Sequence, residues 1–217
     1  MLLFHCTQAA TAALTTTRQG IVQSCLGTEM PSDSAWVWQL HAVKLARKLV
    51  FVAMQHETRF AMVFWGLKWG DGETLATLFA ERLATHLLRL AKGNGAVDPD
   101  TALMMIDQLM HTLHAIGFQA RSDRSVQTHL NEVVQLCRYA VAEFGGLPDN
   151  GAAATGFDAQ VNDTLRSIRG APYFQPEEAL LLHCLEVHAG FDSSRLQQVK
   201  DAFKAAYLYP PLAAQGR

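Results

Sequence analysis

Charge of either sign is scarce in this chain. Only 18% of its 217 residues are Asp, Glu, Lys or Arg, and the formal net charge is −2. A surface so balanced has no extended positive field to hold a phosphate backbone, which disfavours nucleic-acid binding except through a local patch. Cysteine is sparse too. The four residues, at positions 6, 25, 137 and 184, are widely spread with no C-x-x-C pair. That spacing excludes a small disulfide framework and predicts free thiols in a reducing compartment. No apolar run approaches the roughly 18 uninterrupted residues of a membrane span. The opening MLLFHCTQAATAAL has no basic n-region and makes a poor signal peptide. The expectation is a cytoplasmic protein without a membrane segment. Repeats and low-complexity tracts are also missing.

Apolar residues are plentiful at 49%, enough for a full core in one domain of this length. The richest stretch runs from Trp36 to Leu67 and predicts two or three neighbouring strands. Alternation places Trp36, Trp38 and Leu40 on one face and Val37, Gln39 and His41 on the other. LVFVAM and RFAMVFWGL, apolar on both faces, predict central strands covered by helices. Polar clusters at Ala46-Arg47-Lys48 and Gln55-His56-Glu57-Thr58 predict the hairpin turns between them.

Elsewhere, Leu2 to Thr7 predicts a strand and Ala9 to Leu14 a short helix. Residues 15 to 35, with their Pro31-Ser32-Asp33-Ser34 cluster, read as a surface connection with at most a one-turn element around Ile21 to Leu26. Leu75, Leu78, Phe79, Leu83, Leu87 and Leu90 follow helical spacing up to a stop at Gly93. Asp98-Pro99 caps a second helix with a buried stripe of Leu103, Ile106, Met110 and Leu113. Phe118 to Ser122 predicts a strand, and Asp123-Arg124-Ser125 opens a long helix whose Val126, Leu130, Val133, Cys137 and Val141 face the core. DNGAAATG, residues 149 to 156, reads as a linker between helices. Val161, Leu165 and Ile168 mark a short helix stopped by Gly170 and Pro172. Pro176 starts another through Leu180, Leu181, Cys184 and Val187, and a last one uses Leu196, Val199, Phe203 and Tyr207.

Motifs with chemistry are weak. The junction from Gly66 to Gly72 sits where phosphate loops occur, but it lacks the closing Lys-Ser/Thr, and Asp71 and Glu73 would repel an anion. His111 and His114 lie three apart on a helix without the Glu or third ligand of a zinc protease, and His183, Cys184 and His188 do not share one face. No metal or cofactor is implied. Ser125 and His129, one turn apart beside Arg124, could form a nucleophile pair, yet no Gly-x-Ser-x-Gly elbow supports it, and a serine at a helix start ordinarily caps. Arg124, Thr128 and Asn131, at i, i+4 and i+7, form a polar stripe able to grip an anion or a partner peptide.

Three pieces together resemble an uncharacterised bacterial family built on a domain of unknown function. They are Cys6-Thr7 closing the first strand; Trp38 and His41 followed by the Arg47-Lys48 turn and Leu49 to Val52; and Asp123-Arg124-Ser125-Val126 with Asn131, where Asp123 stands in place of an amide. Asn162, Leu165, Pro172 and Phe174 extend the similarity, so that it covers residues 4 to 187. The turn at Gln55 to Thr58 is longer than the family's. The resemblance implies a shared surface but no activity.

The sequence therefore predicts an α+β fold: a small, mostly antiparallel sheet of four or five strands packed by several helices. It forms one domain over 1–189, with residues 190–217 a helical extension packed on it. The leading functional expectation is a non-enzymatic binding or regulatory domain that contacts a protein or a small anionic ligand. Its candidate site comprises Arg124, Ser125, Thr128, Asn131, His41, Trp38 and Lys48. The competing expectation is a hydrolase or transferase in which Arg124 holds an anion while His41 or His129 moves a proton. A third, nucleic-acid binding through Arg47 and Lys48, requires a contiguous positive face.

Overall fold

The computed structural model describes residues 1–27, 35–149 and 151–208. Its main sheet has five strands in the order β6-β5-β4-β1-β7, formed by β1 (Leu2–Cys6), β4 (Trp36–Leu45), β5 (Lys48–Gln55), β6 (Ala61–Leu67) and β7 (Ile116–Ala120). The organising stretch supplies β4, β5 and β6 as an antiparallel meander. The expectation of a mostly antiparallel sheet is corrected, because β1 pairs in parallel with both β4 and β7 and the sheet is mixed. Parallel neighbours need long crossovers rather than hairpins. Here the segment after β1 leads to β4, and the two helices before β7 carry the chain from β6 at one edge to β7 at the other, beside β1. All five residues of β1 are buried, as a central strand requires.

Helices cover both faces. On one, Phe4, Trp38, Leu40, Phe51 and Phe64 pack against α2 (Gly72–Asn94), α3 (Pro99–Leu113) and α6 (Pro176–Ala189). On the other, Val50, Val52, Met54 and Val63 meet α4 (Arg124–Phe144) and α5 (Gly151–Asn162). Each such side chain contributes roughly 1.5–3 kcal/mol of transfer free energy, so the two cores hold the layers together. α7 (Ser193–Leu208) lies on α2 and α6, with Val199 fully buried. The four cysteines are free thiols, and no helix among the described residues is long and apolar enough to cross a membrane.

Several local expectations are corrected. Residues Thr15–Arg18 and Ile21–Ser24 form a two-stranded hairpin, β2 and β3, not a bare connection; α1 (Gln8–Ala13) precedes it. The expected turn at Pro31 to Ser34 lies outside the described residues. α2 continues past Gly93 to a left-handed cap at Gly95. The buried stripe of α3 is Ala102, Met105, Leu109 and Leu113, while Leu103 and Met110 are exposed. The presumed linker supplies the first half of helix α5, and Leu165 lies beyond its end, exposed. Val187 on α6 is exposed as well.

Candidate functional site

Polar side chains collect where β1, β4, the β5–β6 turn and the start of α4 meet. Gln39, fully buried on β4, organises the meeting. Its Nε2 donates to the His5 carbonyl at 2.7 Å and to that of Arg121 at 3.2 Å, and its Oε1 accepts from the Asp123 amide at 2.9 Å. One amide side chain thus ties β4 to β1 and to the segment leading into α4. Asp123 then caps α4, its Oδ1 accepting from the Ser125 amide at 2.7 Å.

The β5–β6 turn is held by its own side chains. Gln55 Oε1 accepts from the amides of Glu57 at 2.7 Å and Thr58 at 2.5 Å, and the Arg59 amide returns to the Gln55 carbonyl at 3.1 Å. The wrap puts Arg59 at φ 55°, a left-handed conformation seldom adopted by a long side chain. From there Arg59 reaches under the start of α4, only 2% exposed, and its Nη2 donates to Ser125 Oγ at 3.3 Å. Its Nε and Nη1 are buried without a partner.

A second guanidinium lies beside it. Arg166, also 2% exposed, donates from Nη1 to the Arg59 carbonyl at 2.7 Å and from Nη2 to the Val161 carbonyl at 3.0 Å, leaving Nε unpartnered. Among the described residues neither arginine has a carboxylate within 4.0 Å. Burial lowers both pKa values. For Arg166, to about 10, Glu132 opposes the shift and Arg59 reinforces it; for Arg59, Asp123 opposes it. Both remain cationic at neutral pH. His129, one turn along α4 from Ser125, has its pKa lowered by burial, with both guanidiniums adding to the shift against Glu132; its Nδ1 is buried and unpartnered. Two buried cations thus lie near a partly buried imidazole whose charged form they disfavour.

Next to this group, His56 Nδ1 stands 3.6 Å from Asp123 Oδ2, with its ring edge-on to His5 at 5.5 Å. Burial first, then neighbouring cations and His5, push His56 down to about 4 against the pull of Asp123, so the ring is neutral at pH 7. His56 also lines a cleft of about 450 Å³ with Trp36, Glu57, His183 and His188. Trp36 stacks on His183 at 5.6 Å and 16°, and Glu57 lies 3.7 Å from His183. Among the described residues no three His, Cys, Asp or Glu side chains are placed to hold a metal ion.

The residues expected from sequence scatter around this centre. Ser125 belongs to it. Arg124 and Thr128 are exposed and, among the described residues, have no hydrogen-bond or ion-pair partner, while Asn131 Oδ1 accepts from Gln127 Nε2 at 3.0 Å on the same outer face. His41 Nδ1 sits 3.0 Å from Thr7 Oγ1, which also accepts from the Ala10 amide. Either group can donate in this bond according to the His41 tautomer, since a hydroxyl has two acceptor lone pairs. No hydrogen bond or ion pair joins His41 to Arg124. Trp38 is at 0% exposure, edge-on to Phe79 at 4.7 Å, and so belongs to the core rather than to a surface. Lys48 lies over the Trp65 ring, 5.2 Å from its centroid, at the β4–β5 hairpin. Sequence reasoning missed Arg59, Arg166 and Gln39. For Arg59 and Gln39 the available signal was a charged or amide residue beside or inside an apolar strand, which cannot be buried without a specific reason; Arg166, just past the end of α5, carried no such signal.

The family model described as Domain of unknown function (DUF6933) matches residues 3–179. No curated protein and no solved structure matches the chain.

Proposed function

We infer the function of this chain, which belongs to the domain-of-unknown-function family DUF6933, from its own chemistry: it is a non-enzymatic domain that binds a small anion between Arg59, Arg166 and the Ser125–His129 side of α4. One observation carries the reading. A guanidinium 2% exposed keeps two nitrogens unpartnered and no carboxylate within ion-pair distance. An uncompensated buried charge costs several kcal/mol, and such a group is retained where a ligand supplies the missing charge. The start of α4 adds the positive end of a helix dipole. Asp123 occupies the cap itself, so the anion is placed beside the helix end, against Arg59, and not on it.

The stripe of Arg124, Thr128 and Asn131 then forms the rim, where Arg124 steers anions towards the pocket. The hydrolase or transferase alternative draws less support, since His41 is engaged by Thr7 while Arg124 points elsewhere on the exposed face of α4. Thermal unfolding tests the reading. At constant ionic strength, sodium phosphate in place of sodium chloride is expected to raise Tm progressively. Ligand at 100 times its Kd stabilises by about 2.7 kcal/mol, or roughly 5–10 °C for a domain of this size. Arg59→Gln is expected to remove the response. An equal response in that variant, or none in the wild type, contradicts the reading.

A further inference from the structure

We propose that the anion is a terminal phosphate, the dianion of a phosphate monoester carried by a small molecule. This rests on the anion-binding reading above and specifies its ligand class. The first argument is charge. Arg166 Nη1 donates to the Arg59 carbonyl at 2.7 Å and Arg59 Nη2 to Ser125 Oγ at 3.3 Å, so two arginines, each 2% exposed, adjoin behind the start of α4. Asp123 and Glu132 are the carboxylates felt there, and neither comes within 4.0 Å of a guanidinium nitrogen. A carboxylate ligand brings one negative charge; a phosphate monoester, with its second pKa near 6, brings close to two at neutral pH.

The second argument counts donors. A guanidinium carries five N–H groups in a planar fork. In Arg59 a single nitrogen, Nη2, is engaged, by Ser125; Nε and Nη1 are idle, as is Arg166 Nε. These donors exceed what the two oxygens of a carboxylate can take up in a bidentate pair, and suit the three terminal oxygens of a phosphoryl group. Access supplies the third argument. Arg59 lies beneath an exposed Ser125, so the oxygens must reach inward from the surface. A monoester has one substituent, which can trail outward. A diester has two and would have to bury one of them, so the nucleic-acid backbone is excluded for a reason separate from the net charge of −2.

Isothermal titration calorimetry of the full chain at pH 7.5 with inorganic phosphate, methyl phosphate, dimethyl phosphate and acetate separates the claims. Inorganic and methyl phosphate are expected to bind one per chain, at least about tenfold more tightly than dimethyl phosphate or acetate. Arg59→Lys, which keeps the charge but loses the fork, should weaken methyl phosphate by about tenfold, Arg59→Gln should abolish binding, and Lys92→Gln, an exposed cation on α2, should still bind it. Circular dichroism melts establish that each variant is folded. Acetate binding as tightly as methyl phosphate, with the same dependence on Arg59, overturns the phosphate assignment and leaves the anion site standing. Equal binding of dimethyl phosphate overturns the terminal-phosphate claim alone. No heat with any probe overturns both, and binding that survives in Arg59→Gln places the site elsewhere.

Discussion

Arg59 and Arg166 are equally buried and differ in what their nitrogens do. Arg166 supplies donors to two carbonyls, those of Arg59 and Val161, so its side chain closes the β5–β6 turn and the end of α5. Replacing it by Met leaves those oxygens without their donor at about 1–3 kcal/mol each. We expect Arg166→Met to lower Tm by roughly 5–15 °C. Arg59 supplies one hydrogen bond, to a serine hydroxyl, and otherwise buries charge. Arg59→Met is therefore expected to raise Tm in anion-free buffer, because a desolvated, unpaired cation is replaced by an apolar chain of similar length. The two melts have opposite predicted signs. A loss of stability in Arg59→Met would mean that the residue holds the fold and that its idle nitrogens need no ligand. This pair also marks a limit of reading from sequence. Ser125 and His129 could be paired from helical spacing alone, whereas Arg59 and Arg166, buried near them, are 107 residues apart in sequence and meet only through the turn.

At the scale of elements, the least legible piece is also one of the most consequential. GAAATG lacks the apolar period of a surface helix and resembles a linker, yet α5 lies along the edge of β6 and satisfies it as a strand would. Asn162 Oδ1 accepts from the Ala61 amide at 2.8 Å, its Nδ2 donates to the Ala61 carbonyl at 2.7 Å, and Asp158 Oδ1 accepts from the Val63 amide at 2.8 Å. Arg82 completes the edge by donating to the Val63 carbonyl at 2.5 Å and pairing with Asp158 at 3.1 Å. Small residues let the helix approach closely enough for these bonds, and that is why its sequence looks featureless. The arrangement also covers an edge that would otherwise template pairing with another chain. Asn162→Ala removes both partners of Ala61 and is expected to cost about 2–4 kcal/mol, seen as a Tm fall of roughly 5–15 °C with increased aggregation on heating. A fall of less than about 2 °C would mean that water replaces the side chain without penalty. By contrast, α2, α3 and α4 were legible as helices because each joins helically spaced apolar residues to an aspartate cap, Asp71, Asp98 or Asp123, and α6 because Pro176 opens it.

For the whole molecule, the meander β4-β5-β6 could be read from its alternation and turns, but the placement of β1 between β4 and β7 could not, since parallel pairing leaves no local signature. Six histidines lie buried or half-buried on several elements: His5, His41, His56, His129, His183 and His188 all have pKa values lowered chiefly by burial. The consequence is a collective pH dependence. Below pH 6.5 the unfolded chain binds protons at these rings that the folded chain refuses, so the unfolded state carries more protons and stability falls with falling pH. For His56 the window runs from 6.5 down to about 4. Asp98 and Asp123, both lowered, act in the same direction at more acidic pH; Glu177 and Glu178, both raised by burial, act in the opposite one. Six groups against two make the net sign clear. Chemical denaturation from pH 7.5 to 4.5 should show stability declining most steeply between about 6.5 and 5. His56→Gln should flatten the acid limb of that decline while leaving the value at pH 7.5 within about 1 kcal/mol of wild type, because the neutral ring has no hydrogen bond to lose at Nε2. A profile level from 7.5 to 5 would mean that water reaches these rings in the folded state, and their surroundings would then have to be redrawn as open.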